Sequence, residues 1–384
     1  IPSDCEGSHN ETLELRFKGN HFFQGYHSMN DFFKLISPAQ FLALFADFAP
    51  LGAEVIAVPQ ARGRVLAQQL VSQEALPPFS RSTMDGFAVR AKDTFGCSES
   101  ENALVSVVGE IAMGASGQAL QLKPGQAARI WTGGELPQKA DAVVMVEYTQ
   151  PFDENTVALF RPVAPGENVI QAGDDYMPGT MILEQDRSLR PQDLGVLSGL
   201  GMTTVPVHKR PKVAILSTGD ELVPPDQAPP PGKIRDINST TMAALVEEAG
   251  GIVIPMGICG DDFEQMLATC RAALQEADVL LLSGGSSVGQ RDFTQRVFAA
   301  LPDTQMLVHG VSIRPGKPTI LARLGNKALF GLPGHVASAL VVFYCFVRPL
   351  LRQYSGLGAT LGLNRVQAMT GQPIPSAIGR EDYV

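Results

Sequence analysis

The stretch 279–292 combines a predicted strand, a loop of small residues and an aspartate in a pattern that suits phosphate chemistry. Residues 279–282 are four consecutive apolar residues and predict a buried strand, and the glycines that follow let the backbone approach a bound group closely. A helix is predicted over 293–301, and the unpaired N–H groups at a helix start bind anions. Asp292 lies just before this helix. Its carboxylate would repel an anion bound at the helix start unless a cation is bound as well. The stretch therefore indicates either a phosphate-bearing ligand with a divalent metal or an ordinary turn with a helix-capping aspartate.

The C-terminal half alternates predicted strands with predicted helices. The strands are predicted at 213–216, 252–255, 279–282 and 328–331. Asn238 or Ser239 is expected to cap the helix between the first two strands. This alternation indicates a doubly wound, mostly parallel sheet with helices on both faces, and ligands of such sheets bind beyond the carboxyl ends of the strands. We therefore expect one crevice to gather the polar residues that follow the strands: Asp220, Glu221, Asp261, Asp292, Lys317 and the loop at Gly334.

The residue types in this predicted crevice favour some chemistries and argue against others. Carboxylate oxygens suit Mg²⁺, which takes one or two carboxylates and keeps waters and ligand phosphates, whereas Arg314 and Lys317 suit an oxyanion or a phosphate. The loop 283–289 has neither the G-x-x-x-x-G-K-[ST] order of a P-loop nor the G-x-G-x-x-G order of a dinucleotide site, which argues against an ATPase or a dehydrogenase. The nearby histidines, His309 and His335, have no paired nucleophile, which argues against acyl transfer.

The N-terminal half predicts a small β domain between helical and extended segments. A helix should begin at the N-cap Ser37 and run to about residue 48, a helical turn is expected over 61–66, and another helix over 191–200. The strands of the inserted domain are predicted at 105–108, 125–130, 142–147 and 157–161. Asp85 and Thr132 lie at polar turns of this domain, and the residues alone do not place them in the same site as the crevice.

Composition limits the classes of function. The 384-residue chain is 45% hydrophobic and 18% charged, so it can bury a core in each of several domains. Its net charge of −9 argues against nucleic acid or an anionic membrane as the main partner, and no apolar run approaches the roughly 20 residues of a membrane span. Five scattered cysteines without C-x-x-C spacing fit a cytoplasmic protein with no disulfide frame or zinc site. Met29 precedes the first patterned segment, so we expect a natural start there and a chain that is a fragment at its C-terminus.

Eight segments together resemble the molybdopterin molybdenumtransferase family, which includes MoeA and the gephyrin E-domain. The segments are 82–88, 132–147, 173–179, 216–222, 234–239, 282–292, 313–319 and 331–340. Their order and spacing are specific, and the resemblance covers about residues 31–384. It implies a multidomain α/β plus β protein divided into a disordered extension (1–28), a discontinuous, extended linker domain (29–75 and 165–207), an inserted small β domain (76–164), a doubly wound, mostly parallel-sheet molybdopterin-binding α/β domain (208–355) and the start of a truncated C-terminal β-barrel (356–384).

The resemblance implies that the protein inserts molybdate or tungstate into adenylylated molybdopterin, with Mg²⁺-dependent release of AMP. The catalytic positions that it implies are Asp85, Thr132, Asp175, Glu221, Asp261 and Asp292, of which Glu221, Asp261 and Asp292 are the metal and leaving-group candidates. The substrate-binding positions that it implies are Gly219, Ser283, Gly284, Gly285, Ser287, Gly289, Arg314, Pro315, Lys317, Pro333, Gly334, Ser338 and Arg380.

The resemblance also implies partners. The family forms a homodimer in which the front half of one subunit completes the crevice of the other, and this would bring Asp85 and Thr132 to the crevice. Further partners that it implies are the molybdopterin adenylyltransferase and the recipient molybdoenzymes or their chaperones.

The chain departs from the family pattern near the anion-binding residues. The family commonly has Pro-Gly-Asn-Pro where this chain has 333–336 as Pro-Gly-His-Val, Gly310 stands where some members have a lysine, and Gln171 and Asp174 are altered. These differences bear on the choice between molybdate and tungstate. Two other classes stay open: a non-catalytic molybdopterin-binding or scaffold protein on the same fold, and a nucleotide-sugar or pyrophosphate hydrolase. The retained acids argue against the first, and the inserted β domain argues against the second.

Overall fold

The computed structural model describes residues 35–284, 288–362, 364, 366–369 and 371–384, and it describes only the backbone of residues 288–292. The predicted extension over residues 1–28 therefore lies outside the described residues. The predicted ligand residues Gly285 and Ser287 also lie outside them.

Residues 35–208 form two helices and twelve strands. In chain order they are α1 (Pro38–Ala43), β1 (Ala53–Ala57), β2 (Leu70–Val71), β3 (Arg81–Ser82), β4 (Gly86–Val89), β5 (Ala103–Ile111), β6 (Gln126–Ile130), β7 (Ala142–Met145), β8 (Thr149–Pro151), β9 (Thr156–Leu159), β10 (Val169–Ile170), β11 (Met181–Leu183), α2 (Pro191–Gly199) and β12 (Thr204–His208). Single 3-10 turns cover Leu44–Asp47, Val58–Gln60, Ala91–Thr94, Gly117–Ala119 and Val146–Tyr148.

The elements after residue 208 are longer and alternate between strand and helix. They are β13 (Lys212–Thr218), β14 (Leu222–Val223), β15 (Ile234–Arg235), α3 (Asn238–Glu248), β16 (Ile252–Cys259), α4 (Phe263–Glu276), β17 (Val279–Gly284), α5 (Val288–Ala299), β18 (Thr304–His309), β19 (Ile313–Arg314), β20 (Ile320–Leu324), β21 (Lys327–Leu332), α6 (Val336–Val342), α7 (Arg348–Tyr354) and β22 (Glu381–Asp382). A π-helical turn, Phe343–Val347, joins α6 to α7.

The C-terminal half is built on a six-stranded sheet in the order β16-β13-β17-β21-β20-β18. The first four strands are parallel, and β20 is antiparallel to both of its neighbours, β21 and β18, so the predicted, mostly parallel sheet is confirmed as a mixed α/β sheet. Helices α3, α6 and α7 bury apolar residues against one face, and α4 and α5 bury theirs against the other. Both faces of the sheet are therefore covered, as the near-continuous apolar strand β17 requires.

Helix α1 also packs on this sheet, although it lies at the opposite end of the sequence. Its N-cap Ser37 forms a capping box with Gln40. The Phe41 ring lies with its centroid 4.1 Å from that of Phe346, and Phe45 and Phe48 are fully buried beside it. The predicted helix start at Ser37 is confirmed, and the predicted linker domain contributes at least this helix to the core of the α/β sheet.

The helical run 336–354 is apolar enough, in length and composition, to cross a membrane. It has 19 residues and a mean hydropathy of 1.3, so the prediction that no apolar run approaches this length was too strict. Half of the run is buried inside the molecule. Phe346, Leu350 and Leu351 of this run belong to the same apolar core as α1.

The inserted region has a second six-stranded sheet, in the order β7-β4-β6-β5-β9-β8. Its neighbouring strands are antiparallel except for β5 and β6, which are parallel. Residues before and after it are joined by three antiparallel pairs, β1 with β12, β2 with β11, and β3 with β10. All the strands predicted for this region are present, and most of their ends lie within three residues of the predicted ends. Because the three pairs join the residues before the sheet to those after it, this region is an insertion.

Three local predictions were wrong. Residues 61–66 do not form a helical turn, because Val65 and Leu66 form isolated bridges to Ser188 and Val207 instead. Helix α5 begins at Val288 rather than at residue 293, which places the Asp292 backbone inside the helix. Neither Asn238 nor Ser239 caps α3. The Ser239 N–H donates instead to Asp236 Oδ1 at 3.1 Å.

Candidate functional site

A cavity of about 200 Å³ opens at the carboxyl ends of β13 and β17, beside the loop that follows β21. Its lining residues are Thr218, Glu221, Leu222, Ile234, Arg235, Asp236, Ile237, Asn238, Ser283, Gly284, Gly334, His335 and Val336. We call this cavity the crevice. The structure thus brings four of the predicted site residues together there, namely Glu221, Ser283, Gly284 and Gly334. Two further ones, Gly219 and Pro333, are buried next to them in the chain.

Two glycines allow the strand ends to meet at the crevice. A Cβ at Gly284 would lie well under 3.0 Å from both Thr218 Oγ1 and Thr218 O, a distance that real side chains essentially never show. A Cβ at Gly219 would lie 2.7 Å from the carboxyl carbon of Glu221, and its φ of +146° is one that favours glycine. Both glycines are therefore needed for the close approach of backbone and carboxylate.

Buried hydroxyl groups tie the two central strands together beneath the crevice. Ser217 Oγ lies 3.1 Å from Ser283 Oγ and 2.8 Å from Ser239 Oγ, so the serines link β13 to β17 and to α3. Thr218 Oγ1 donates to the Ser283 carbonyl at 3.4 Å. Because Ser217 and Ser283 are at most 2% exposed, this network fixes the positions of the strand ends rather than meeting solvent.

Asn238 lines the crevice, although the sequence predicted it only as a possible helix cap. Its Nδ2 donates to the Gly334 carbonyl at 2.9 Å, which holds the loop after β21 against the start of α3. Its Oδ1 is buried and has no hydrogen-bond partner among the described residues, and the residue is 9% exposed. A buried carbonyl oxygen without a partner costs free energy unless a donor reaches it. Asn238 Oδ1 is therefore available to a donor on a bound molecule.

Acidic groups follow β13 and β16 on the same edge of the sheet. Asp220 Oδ1 accepts a hydrogen bond from the Asp261 N–H at 3.1 Å, and Asp262 caps α4 by accepting from Gln265 N at 2.8 Å. Burial, followed by the charges of Asp262, Asp261 and Asp220, raises the pKa of the Cys259 thiol, so this cysteine is held protonated.

Among the residues with described side chains, no three His, Cys, Asp or Glu residues group closely enough to form a metal site by themselves. The predicted metal set of Glu221, Asp261 and Asp292 is not tested by this, because the Asp292 side chain lies outside the description. Mg²⁺ needs only one or two carboxylates when a ligand supplies phosphate oxygens and waters complete the shell. Glu221 and Asp261 are both exposed at this edge, and they are hard oxygen ligands that fit such a shell.

The predicted anion-binding residues lie on elements after β18. Arg314 is exposed on β19, whose parallel partner is β22. Arg380 precedes β22, and its Nε lies 2.9 Å from Asp382 Oδ1. Because β19 pairs with β22, Arg314 lies on one strand of the pair and Arg380 directly precedes the other. Lys317 and Pro315 lie in the following loop, and Ser338 is half-buried in the first turn of α6.

Asp85 and Thr132 form a separate pair on the inserted β region. Asp85 Oδ1 accepts hydrogen bonds from both the backbone N–H and the hydroxyl of Thr132, at 2.8 and 2.7 Å. These two bonds, with a further contribution from the charge of Arg129, lower the pKa of the Asp85 carboxyl. Asp175 lies in the loop after β10 and is exposed. The crevice lining includes none of Asp85, Thr132 and Asp175, so the structure of one chain leaves them apart from it.

Two family models match the chain over most of its described length. Residues 36–201 match a model described as the MoeA N-terminal region (domain I and II), and residues 214–353 match one described as a probable molybdopterin binding domain. Their boundary falls between β12 and β13, where the α/β sheet begins.

Two curated proteins with similar sequences carry the same name. A molybdopterin molybdenumtransferase of Bacillus subtilis is 35% identical over 78% of this chain and 70% of its own length. A protein of the same name from Nostoc sp. is 36% identical over 86% of this chain and 76% of its own length.

Solved structures agree with the fold. Two crystal structures of MoeA proteins from Pyrococcus horikoshii have TM-scores of 0.74 and 0.77 at 36% and 32% identity, and they cover 84% and 91% of this chain and 81% and 86% of their own. The similarity extends through both six-stranded sheets, at an identity that shows common descent. The chain therefore belongs to the molybdopterin molybdenumtransferase family, which are enzymes of molybdenum cofactor biosynthesis.

Proposed function

We propose that this enzyme inserts molybdate or tungstate into adenylylated molybdopterin with Mg²⁺-dependent release of AMP. The observation that carries the proposal is the crevice, where Glu221, the glycine loop at Gly284 and the unpartnered Oδ1 of Asn238 line a single cavity. A pterin carries N–H donors that suit such an oxygen. Gly284 carries no Cβ at the end of β17, so a phosphate can approach its backbone closely.

In this proposal each group of residues has one task. Asn238 orients the pterin, and Lys317 and Arg314 hold the oxyanion and the phosphate with charge-assisted hydrogen bonds. Glu221 and Asp261, with Asp292, hold Mg²⁺, which when bound supplies positive charge to the departing AMP phosphate. The remaining residues position the substrates, because phosphoanhydride cleavage depends chiefly on placement and on stabilisation of charge.

We further propose that the active unit is a cytoplasmic homodimer with the domain division given above. Asp85 and Thr132 are absent from the crevice lining of their own chain, while the hydrogen bonds between them stay within the inserted region. Asp85 and Thr132 of the partner subunit would then complete the crevice. The adenylyltransferase that supplies the substrate and the recipient molybdoenzymes or their chaperones are the further partners of this proposal.

The test measures AMP release from adenylylated molybdopterin with Mg²⁺ and either molybdate or tungstate. Glu221→Gln removes one negative charge from the crevice with almost no change in volume, and we expect a 10²- to 10³-fold loss of rate, about the effect of removing one catalytic electrostatic group. The matched control is Glu276→Gln. Glu276 is an exposed glutamate at the far end of α4, and its replacement should leave the rate unchanged.

Other outcomes would assign the fold a different role. Tight molybdopterin binding without AMP release in the wild type would favour a non-catalytic binding or scaffold protein. AMP release that is independent of any oxyanion would favour a pyrophosphate hydrolase. An equal rate for Glu221→Gln and the wild type would remove Glu221 from the proposed metal set.

A further inference from the structure

A second cavity, of about 490 Å³, lies at the opposite edge of the α/β sheet from the crevice. Arg210 in its wall lies two residues before β13, and Glu247 and Glu248 end α3, so this cavity faces the amino end of the central strand. Residues 60–65 and α7 form its other walls. We call it the basal cavity. None of its lining residues lines the crevice.

The lining of the basal cavity is strongly cationic. Six basic side chains line it against only the two carboxylates of α3, although the whole chain has a net charge of −9. The basic residues are Arg62, Arg64, Lys209, Arg210, Arg348 and Arg352. An excess of one charge sign in a concave, partly enclosed surface raises the local concentration of the opposite ion. The cavity therefore favours anions, which the protein as a whole repels.

Two of these cations already have strong partners. Arg64 forms an ion pair with Glu54 and donates to the His208 carbonyl at 2.7 Å. Arg210 Nε donates to the Gly250 carbonyl at 2.8 Å, just beyond the end of α3. Arg64 and Arg210 thus serve mainly to hold the walls of the cavity in place.

The other four cations lack a carboxylate partner within the described part of the chain. Neither Arg62 nor Lys209 has a side-chain hydrogen bond or ion pair there. Arg348 donates to the Gly362 carbonyl at 3.5 Å and lies over the Tyr344 ring, and Arg352 Nε donates to Thr360 Oγ1 at 3.2 Å. Each side chain therefore keeps most of its N–H donors available.

Arg348 and Arg352 also repel each other. They are four residues apart on α7, where side chains face one another and like charges destabilise the helix. Burial, followed by the charge of Arg348, lowers the pKa of the Arg352 guanidinium. A multivalent anion between them would relieve this repulsion, because planar guanidinium groups bind phosphate oxygens in pairs.

We propose that the basal cavity is a binding site for a small molecule that carries a diphosphate or longer phosphate chain. The cavity volume of about 490 Å³ suits a compact ligand with two or more phosphates. Four available cations are more than a single phosphate group would contact. The ligand would bridge Arg62 and Lys209 on one wall to Arg348 and Arg352 on α7. Its binding would therefore stabilise the folded chain.

The experiment is isothermal titration of the full chain with inorganic pyrophosphate in the presence of EDTA, together with its melting temperature. We expect one site whose affinity falls as salt increases. The double variant Arg62→Gln/Lys209→Gln should bind at least about tenfold more weakly, because tenfold corresponds to roughly one charge-assisted hydrogen bond. Both residues are exposed, so the melting temperature without ligand should not change. Arg348→Gln/Arg352→Gln provides a second test from the other wall.

Two controls separate this site from other cationic sites. Lys317→Gln changes the anion-binding loop near the crevice, and Lys92→Gln/Lys123→Gln changes another basic cavity on the inserted region, which also contains Arg90 and Lys139. Both should leave pyrophosphate affinity at the basal site unchanged, whatever the catalytic role of the crevice.

A parallel titration with ADP identifies the source of the phosphate chain. Tighter binding of ADP than of pyrophosphate, lost in the Arg62/Lys209 variant, indicates a nucleotide, and tighter binding of pyrophosphate indicates an inorganic ligand.

The proposal is overturned if the wild type does not bind either probe at millimolar concentration. It is also overturned if the Arg62/Lys209 variant binds pyrophosphate as tightly as the wild type.

Discussion

Replacement of Gly284 by alanine should test whether the close approach of β13 and β17 builds the crevice. The new Cβ would lie far inside the 3.4 Å at which ordinary contacts with the Thr218 carbonyl oxygen begin, so the strand ends must separate by roughly 1 Å. Overpacking of this kind costs about 1–3 kcal/mol. For a region of 150–250 residues this lowers the melting temperature by about 2–12 °C.

The rate of AMP release should fall as well, because the same movement displaces the floor of the crevice. A misplacement of 1 Å can cost about 10²-fold in rate, so a shift of this size predicts a loss of that order. The matched control is Gly195→Ala in the middle of α2, where no atom lies within 4 Å of the added Cβ. Alanine there should raise stability by about 0.5–1 kcal/mol and leave the rate unchanged.

A double variant distinguishes the two contacts of the added methyl group. Thr218→Ala in the Gly284→Ala background removes the clash with Oγ1 but leaves the clash with the backbone carbonyl. We therefore expect only partial recovery of the melting temperature. Gly284→Ala with the melting temperature and the rate of AMP release of the wild type would refute this prediction. A double variant with the full wild-type melting temperature would refute it as well.

The remaining predictions concern two carboxylates held ionised by hydrogen bonds. Asp193 is 5% exposed, and hydrogen bonds from Arg190 lower its pKa, so Asp193→Asn should cost about 1.5–3 kcal/mol in urea unfolding at pH 7. Because the folded pKa lies below the ordinary aspartate value of 3.8, this stabilisation is complete above that pH and disappears as pH falls through the folded pKa, where variant and wild type should converge. Thr132→Val removes one of the two donors to Asp85, and NMR titration of its carboxyl should show a higher pKa than in the wild type; an unchanged pKa would mean that the backbone N–H alone sets it.

The alternation of apolar runs was enough to predict the α/β sheet, because each strand and helix there carries its own periodic pattern. The start of α5 was not predictable in the same way. Residues 288–292 read Val-Gly-Gln-Arg-Asp, which lacks both an apolar period and a capping residue. Asp292 was therefore interpreted as preceding the helix, although its backbone lies inside it.

The most informative residue of the crevice depends on contacts that no local pattern encodes. Asn238 was predicted as a helix cap, but Asp236 takes that role and frees Asn238 to bond Gly334, 96 residues away in the chain. Its unpartnered Oδ1 follows only from the packing of α3 against the loop after β21. The same limit applies to α1, whose start at Ser37 was predictable but whose contact between Phe41 and Phe346 was not.

The hydrogen bonds of Asp85 also restrict what it can do in catalysis. Two donors from Thr132 hold the carboxyl ionised, so near neutral pH it cannot act as a proton donor. Its remaining lone pairs can only accept hydrogen bonds, bind a cation or take up a proton. The cations Arg314 and Lys317 lie on β19 and in the loop after it, rather than on the inserted region. In the proposed homodimer, Asp85 of the partner subunit would thus bring negative charge towards these cations, and an N–H group of the pterin is the group that it suits.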